Sequence, residues 1–269
     1  MHEILKKQKI AEGTYLMQIK DQQMAKKLQP GHFIMIRINE TGERIPLTPA
    51  EYDQGNISFV FKEVGKTTGD LALLKKGDII QDIVGPLGNP SEIKRFGNVC
   101  LVAGGIGIAP IYNYAKELKK AGNKLFIIAG AQSKKALFWE DRLKKIADTL
   151  YICTNDGSRG EKGFVTDILT KLIRMKKLNF VMAVGPVVMM QAVAEVTRSR
   201  VRTHVSLNPI MIDGIGMCGC CRVLINEKIK FACVDGPGFD AHTVDFNDLL
   251  CRNNRFIEEE KHICKCKEV

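Results

Sequence analysis

Asp213, Cys218, Cys221 and Cys233 carry the plainest chemistry in this 269-residue chain. They lie within MIDGIGMCGCCRVLINEKIKFAC at the spacing D-x4-C-x2-C-x11-C. Thiolate sulfur is a soft, electron-rich donor that suits iron–sulfur clusters and zinc. With Cys in place of Asp213, the spacing approaches the C-x4-C-x2-C…C pattern of a [2Fe–2S] site. Gly214, Gly216 and Gly219 let the loop wrap a cluster and turn N–H groups toward its sulfurs. Two alternatives stay open on spacing alone. Cys220 is a spare thiol able to serve as fourth ligand, leaving Asp213 a turn residue. A structural zinc site is the other, although zinc usually takes four Cys or His ligands and only three cysteines fall in the pattern. His262, Cys264 and Cys266 form a second group, read as a tail with incidental thiols, with a second metal site as the alternative. Cys100 and Cys153 sit in apolar runs and read as small core residues.

A second constellation is the turn LVAGGIGIAP, residues 101–110. Gly104, Gly105 and Gly107 let the backbone turn tightly and approach a pyrophosphate, and the helix that follows directs N–H groups and positive dipole at it. The order G-G-x-G-x-A-P departs from G-x-G-x-x-G, so its strand-to-helix placement carries the argument. Gly185, Pro186 and Met189 follow the last strand of the same region, on the carboxyl edge where ligands bind. That position suits a nicotinamide pocket, and equally a plain turn with Pro near the first helical position. Asn155, Asp156 and Gly157 follow another strand end and suit the ribose or phosphates of a nucleotide. Nearer the N-terminus, Arg44-Ile45-Pro46-Leu47-Thr48 follows a strand, and Gly65-Lys66-Thr67-Thr68 opens a short helix. An Arg, hydroxyls and helix N–H groups would suit a flavin diphosphate; taken alone they describe an ordinary capped helix. A dinucleotide site beside a one-electron centre suggests a device that converts hydride pairs into single electrons.

The elements that must position these residues fall into four stretches. Residues 1–94 read as short strands (13–20, 32–38, 56–62 and 78–84), separated by turn signals, with a helix near 67–75: a small antiparallel barrel. Residues 95–202 alternate strands (98–103, 124–130, 149–153, 179–184) with helices (110–121, 137–147, 163–174, 186–197), the pattern of a parallel-sheet α/β domain. Residues 203–250 are rich in Gly and Cys with short strands, the texture of a small cluster module, and 251–269 read as a tail. The fold class expected is β barrel plus α/β with a C-terminal [2Fe–2S] module.

Composition narrows the remaining classes. Net charge is +10, but the Lys and Arg residues are scattered and no aromatic-interleaved basic motif appears, so a solvated surface is expected and no nucleic acid. No run of about 18 apolar residues indicates a membrane span. Nine cysteines, an odd number, without the apolar core of an export signal in MHEILKKQKI point to a reducing, cytoplasmic setting.

RIPLT (44–48), EVGKTT (63–68), GPLGNP (85–90), GGIGIAP (104–110), NDGSRGEKGFVTD (155–167) and VGPVVMM (184–190) occur in the order found in ferredoxin-reductase-like flavoproteins. Over roughly residues 3–250 the chain resembles one branch of that family. This branch comprises the electron-transfer subunits of dihydroorotate dehydrogenase, the small subunits of NADH-dependent reduced ferredoxin:NADP oxidoreductases, and the sulfide dehydrogenase small subunits. The resemblance implies FAD, NAD(H) and a [2Fe–2S] cluster, with the Thr48 hydroxyl near the flavin N5 and EVGKTT on the FAD diphosphate. Two departures stand out. The wider family has Arg-x-Tyr-Ser/Thr, whereas here Leu47 takes the Tyr place and Arg44 lies four residues before Thr48. The dihydroorotate-type subunits carry Cys where this chain has Asp213; an Asp there resembles the ferredoxin:NADP oxidoreductases, in which a carboxylate ligates one iron. The resemblance therefore implies a large iron–sulfur flavoprotein partner handling ferredoxin and NADP(H), with electron bifurcation in a heterodimer or larger complex. The rivals are a dihydroorotate dehydrogenase partner, a hydrogenase or sulfur-reducing complex subunit, and a non-catalytic metal- or nucleotide-binding regulator. Arg159 and Lys162 leave NADP open as the nucleotide, although the resemblance favours NAD.

Overall fold

Apolar residues in the first ninety positions alternate with polar ones over short runs, and each run forms a strand. In the computed structural model, which describes residues 1–259, these are β1 (His2–Ala11), β2 (Thr14–Lys20), β3 (Phe33–Arg37), β4 (Arg44–Leu47), β5 (Pro49–Asp53), β6 (Asn56–Lys62), β7 (Ile79–Ile80) and β8 (Asp82–Leu87), with helices α1 (Gln22–Lys27) and α2 (Lys66–Leu73). They form two antiparallel sheets, ordered β5-β6-β2-β1-β7 and β4-β3-β8. Both sheets face one core that contains Ile4, Met17, Ile34, Ile36, Phe59 and Phe61. β1, β4, β5 and α1 fall outside the expected strands and helix, and the 78–84 run divides into β7 and β8. Arg44–Leu47, read as following a strand, is itself a strand; it lies at a sheet edge, where the missing N–H of Pro46 costs no ladder bond. α1 was not expected, because QQMAKK buries a single residue, Met24, and forms under an Asp21 cap whose carboxylate accepts from the Met24 N–H at 2.8 Å.

Fully apolar runs then alternate with amphipathic helices. β9 (Asn98–Gly104), α3 (Ile108–Lys120), β10 (Lys124–Ala131), α4 (Glu140–Ile146), β11 (Thr149–Thr154), β12 (Glu161–Lys162), α5 (Val165–Met175), β13 (Phe180–Val184), α6 (Val187–Thr197) and β14 (Thr203–Ser206) build a parallel sheet covered by helices on both faces. α4 begins three residues later than expected, because Trp139 stands in the left-handed region at φ 59° and breaks the helix behind it.

The last stretch supplies β15 (Arg222–Ile225), β16 (Lys228–Phe231), the single turn α7 (Ala232–Asp235), β17 (Gly238–Asp240) and α8 (Phe246–Asn253). β14 and β17 extend the parallel sheet past residue 202, giving the order β12-β11-β10-β9-β13-β14-β17 with β17 antiparallel at the edge. The helix α8 runs through position 251, where a tail was expected, because Phe246 and Leu249 are buried on its inner face. His262, Cys264 and Cys266 lie outside the described residues. No helix among the described residues is long and apolar enough to cross a membrane.

Candidate redox site

The cluster loop joins β14 to β15, and its glycines explain its path. Gly214, Gly216 and Gly219 have φ of 75°, 88° and 69°, a region that L side chains rarely adopt. A Cβ on Gly214 would lie 2.6 Å from Met35 Cγ, and one on Gly216 2.5 Å from Val234 Cγ2, so the loop runs flush against β3 and α7. Within it, backbone N–H groups turn toward the expected ligands. Asp213 Oδ1 accepts from Ile215 N–H at 2.8 Å and Oδ2 from Cys218 N–H. Cys218 Sγ accepts from Cys220 N–H and Cys221 Sγ from Cys233 N–H, each at 3.5 Å. Cys221 and Cys233 are buried with their sulfurs 3.2 Å apart, while Cys218 is exposed.

Electrostatics within the loop suits a cationic guest. Burial raises the Asp213 carboxyl, but the N–H bonds outweigh it and hold the group below its ordinary value, as a carboxylate. Burial pushes the Cys233 thiol up to about 12, so a metal is needed to draw off its proton. Burial raises Cys220 as well, and its carbonyl accepts from Arg252 Nη2 at 3.3 Å. Among the described residues, no three His, Cys, Asp or Glu side chains gather round a single ion position. Of the four expected ligands, the Cys221 and Cys233 sulfurs lie side by side, and the Asp213 carboxylate accepts the backbone N–H of Cys218.

The dinucleotide residues meet at the carboxyl edge of the parallel sheet. β10 and β13 flank β9 on opposite sides, so the chain reverses its direction of winding there, the position where open α/β sheets take ligands. Gly105–Gly107 forms a 3-10 turn leading into α3. A Cβ on Gly107 would lie 2.6 Å from the Val184 carbonyl carbon, and one on Gly185 2.8 Å from Met189 Cε and 3.0 Å from Gly104 Cα. Gly104, Gly107, Gly185, Pro186 and Met189 are thus brought together, with Gly105 beside them facing open space. Asn155, Asp156 and Gly157 follow β11 on the same edge. Asp156 Oδ1 takes Ser158 N–H at 2.9 Å and Ser158 Oγ at 2.6 Å, which holds its carboxyl below the ordinary value. Arg159 gives Nε and Nη2 to Glu140 Oε2 at 3.1 and 2.8 Å.

On the barrel, β4 pairs with β3, setting Pro46 across from Met35 and Leu47 across from Ile34. Thr48 follows at the turn into β5, and Arg44 is exposed at the start of β4. In α2 the first intrahelical bond runs from Gly69 N–H to Gly65 O at 2.8 Å, leaving the N–H groups of Lys66, Thr67 and Thr68 ahead of it. The Thr68 hydroxyl accepts from Val64 and Gly65 N–H at 3.0 Å each, and Thr67 donates to Glu43 Oε2 at 3.0 Å. These contacts hold a helix N-terminus open beside β4, a fit for a diphosphate. Sequence reasoning passed over Met35 and Asn89, which join the barrel to the cluster module, Met35 at Gly214 and Asn89 at Val234 and Gly236; neither residue type signals such a role.

Comparisons with known proteins agree with this fold. Residues 101–195 match the oxidoreductase NAD-binding domain, and residues 208–245 the iron–sulfur cluster binding domain of dihydroorotate dehydrogenase B. The latter span holds Asp213 and all three expected cysteine ligands. A Thermotoga maritima protein, described as a homologue of the dihydroorotate dehydrogenase B (NAD(+)) electron transfer subunit, is 50% identical over 264 residues, covering 97% of this chain and 93% of that protein. The corresponding subunit of Fusobacterium nucleatum is 37% identical, covering 88% of this chain and 94% of its own. A solved chain from an NADH-dependent reduced ferredoxin-NADP oxidoreductase, described for flavin-based electron bifurcation, superposes with a TM-score of 0.94 at 48% identity, covering 100% of this chain and 98% of that one. Phthalate dioxygenase reductase, at 17% identity and a TM-score of 0.64, shares the fold. Barrel, NAD domain and iron–sulfur module on one chain make a redox enzyme subunit whose cofactors are FAD, NAD(H) and a [2Fe–2S] cluster, and the related subunits work within larger complexes. The chain belongs to the family of dihydroorotate dehydrogenase B electron-transfer subunits.

Proposed function

We propose that this chain is the NAD(H)-reactive subunit of an electron-bifurcating NADH-dependent ferredoxin:NADP oxidoreductase. The observation that carries it is the continuity of three sites through one packed core. β17, from the cluster module, closes the edge of the NAD sheet, and β3, paired with the flavin segment, packs into the same core as Cys221 and Cys233. Bound flavin and cluster would supply the conversion of hydride to single electrons, and the protein positions and tunes them. Asp213, Cys218, Cys221 and Cys233 hold the cluster. Gly104, Gly105, Gly107, Asn155, Asp156, Gly157, Gly185, Pro186 and Met189 seat the dinucleotide. Arg44, Pro46, Leu47, Thr48, Gly65, Thr67 and Thr68 seat FAD, with Thr48 beside the reacting ring. Hydride transfer needs no acid or base, and none is assigned.

The reading includes a large iron–sulfur flavoprotein partner that handles ferredoxin and NADP(H) in the cytoplasm. Cys218, the exposed cysteine of the set, shares its loop with exposed Ile212, Ile215 and Met217, the last 82% accessible, and such exposed apolar side chains suit a docked subunit. The dihydroorotate reading is favoured by the names of several relatives; NADP-linked against dihydroorotate-linked electron transfer in the intact complex separates the two. Ligand assignment is tested by iron, zinc and flavin content of anaerobically purified wild type, Asp213→Ala and Cys220→Ser. Loss or alteration of the cluster in Asp213→Ala alone supports Asp213 as the fourth ligand. Loss in Cys220→Ser alone transfers the fourth position to Cys220, and zinc without flavin removes the electron-transfer reading.

A further inference from the structure

β3 has two faces with different occupants. Ile34 and Ile36 point into the barrel core, while Phe33 and Met35 belong to the core that contains Cys221 and Cys233. Met35, 1% exposed, sits across the β3–β4 ladder from Pro46 of the RIPLT segment. Its other side meets the cluster loop: a Cβ on Gly214 would fall 2.6 Å from Met35 Cγ and 3.1 Å from both Met35 Sδ and Leu87 Cδ1. Gly214 directly follows Asp213. Met35, with Leu87 beside it, therefore packs against the loop at Gly214, one residue from the first expected ligand, on a strand that pairs with the flavin segment.

A second contact holds the far end of the cluster module's ligand set, at α7. Asn89, just beyond β8, donates its backbone N–H to Gly236 O at 2.6 Å and its side-chain amide to Val234 O at 2.8 Å. Val234 is the neighbour of Cys233. The barrel thus grips the cluster module at both ends of the expected ligand set, once through packing and once through paired hydrogen bonds.

We propose that Met35 and Asn89 are positioning residues that fix the cluster module to the flavin-bearing barrel, Met35 at the cluster loop and Asn89 at α7, so that the barrel and the cluster module move as one electron-carrying unit. The inference rests on the flavin and cluster assignments of the proposed function. Electron transfer between two centres weakens steeply with the gap between them, so a tight, void-free wall matters more here than in an ordinary core. Methionine suits the wall: it is unbranched, fills irregular gaps and carries a polarisable sulfur. With flavin and cluster bound, the step concerned would be the passage of one electron between them, with no bond made or broken in the protein.

The test uses the full chain loaded with flavin and iron, as wild type, Met35→Ala, Met35→Leu and Asn89→Ala. Rapid mixing with NADH under anaerobic conditions separates bleaching of the flavin from bleaching of the cluster. The flavin phase should keep its wild-type rate in all variants. The cluster phase should slow severalfold in Met35→Ala and Asn89→Ala and recover in Met35→Leu, which restores bulk. A cluster phase unchanged in Met35→Ala overturns the role of Met35, whereas a wild type whose cofactors do not respond to NADH instead overturns the functional reading beneath it. Iron content gives a second readout that does not depend on turnover. Gly214→Ala should lose iron through overlap with Met35 and regain part of it in the Met35→Ala/Gly214→Ala pair. Gly216→Ala, which meets Val234 instead, should gain nothing from Met35→Ala. Absence of rescue at Gly214, or equal rescue at Gly216, overturns the contact as the positioning element.

Discussion

Two glycine-to-alanine changes should move stability in opposite directions. Gly107 lies in the turn that opens α3, at φ −58° and ψ −13°, so alanine meets no backbone strain there. Its Cβ would instead overlap the Val184 carbonyl oxygen, 2.6 Å from the carbon and 3.2 Å from Gly185 N. These are backbone atoms at the end of a central strand, and no rotamer change relieves the clash. The turn must lift off β13, at a cost near the upper end of overpacking, ~3 kcal/mol. Gly69 sits inside α2 with nothing within 4 Å of a Cβ and no positive φ. Alanine there should stabilise by about 0.5–1 kcal/mol, because glycine loses more backbone freedom on folding. For a chain this size 1 kcal/mol moves Tm by about 2–4 °C, so Gly107→Ala should lower Tm by ~6–12 °C and Gly69→Ala raise it by ~1–4 °C. The assay is thermal unfolding of the flavin-free protein, with NADH titration of flavin-loaded Gly107→Ala beside it; NADH affinity should fall, because the lifted turn includes Gly104 and Gly105. Equal Tm shifts, or a Gly107→Ala protein as stable as wild type, would refute the close approach of the turn to β13.

Three further outcomes follow from hydrogen bonds and charges. Burial pushes the Tyr114 hydroxyl up to about 12, against a 2.5 Å hydrogen bond with Ser91. The folded state holds that proton more tightly than the unfolded chain, so its stabilisation is complete below about pH 10 and declines by about 2–3 kcal/mol as pH rises to 12; Tyr114→Phe should flatten this part of a pH-dependent denaturation series. Asp148 Oδ2 accepts from Lys119 Nζ at 2.6 Å and Leu125 N–H at 2.7 Å, and these hold its carboxyl below the ordinary value. Its stabilisation is present above the ordinary carboxyl pKa and is lost as pH falls below it, so Asp148→Asn should cost about 1 kcal/mol by urea denaturation at pH 7 and less at acid pH. Glu140 occupies the guanidinium fork of Arg159; Glu140→Gln should free it for a 2′-phosphate and raise NADPH use relative to NADH in flavin-reduction kinetics, and an unchanged ratio would place the nucleotide elsewhere.

Much of this was legible in the chain because the signals are local. The apolar runs that became β9, β10 and β13, and the glycine turns between strand and helix, follow from periodicity and backbone freedom. The expected cluster ligands and the dinucleotide glycines are readings from residue type and spacing, which are local too. What escaped was long-range. α1 rests on an Asp21 cap and one buried methionine, a pattern too short to register. The pairing of β14 with β17 joins segments more than thirty residues apart, which no periodicity reveals. Met35 reads as core methionine in any strand. Its place against Gly214 depends on which face of β3 the cluster module covers, and only the tertiary fold decides that. Asn89 lies in a GPLGNP turn where an asparagine looks like turn chemistry, although its amide in fact reaches Val234.

Everything proposed for this chain depends on electrons entering from NADH and passing through flavin to the cluster on the one polypeptide. Anaerobic titration of the purified protein with NADH, followed by visible absorption and by the paramagnetic signal of the cluster, decides whether they do. About one FAD and two irons per chain are expected, as a [2Fe–2S] centre requires, with flavin and cluster both reduced by NADH and the cluster signal lost or altered in Asp213→Ala. A protein that binds NADH yet leaves its cluster oxidised at every ratio, or one that carries zinc and no flavin, would contradict it.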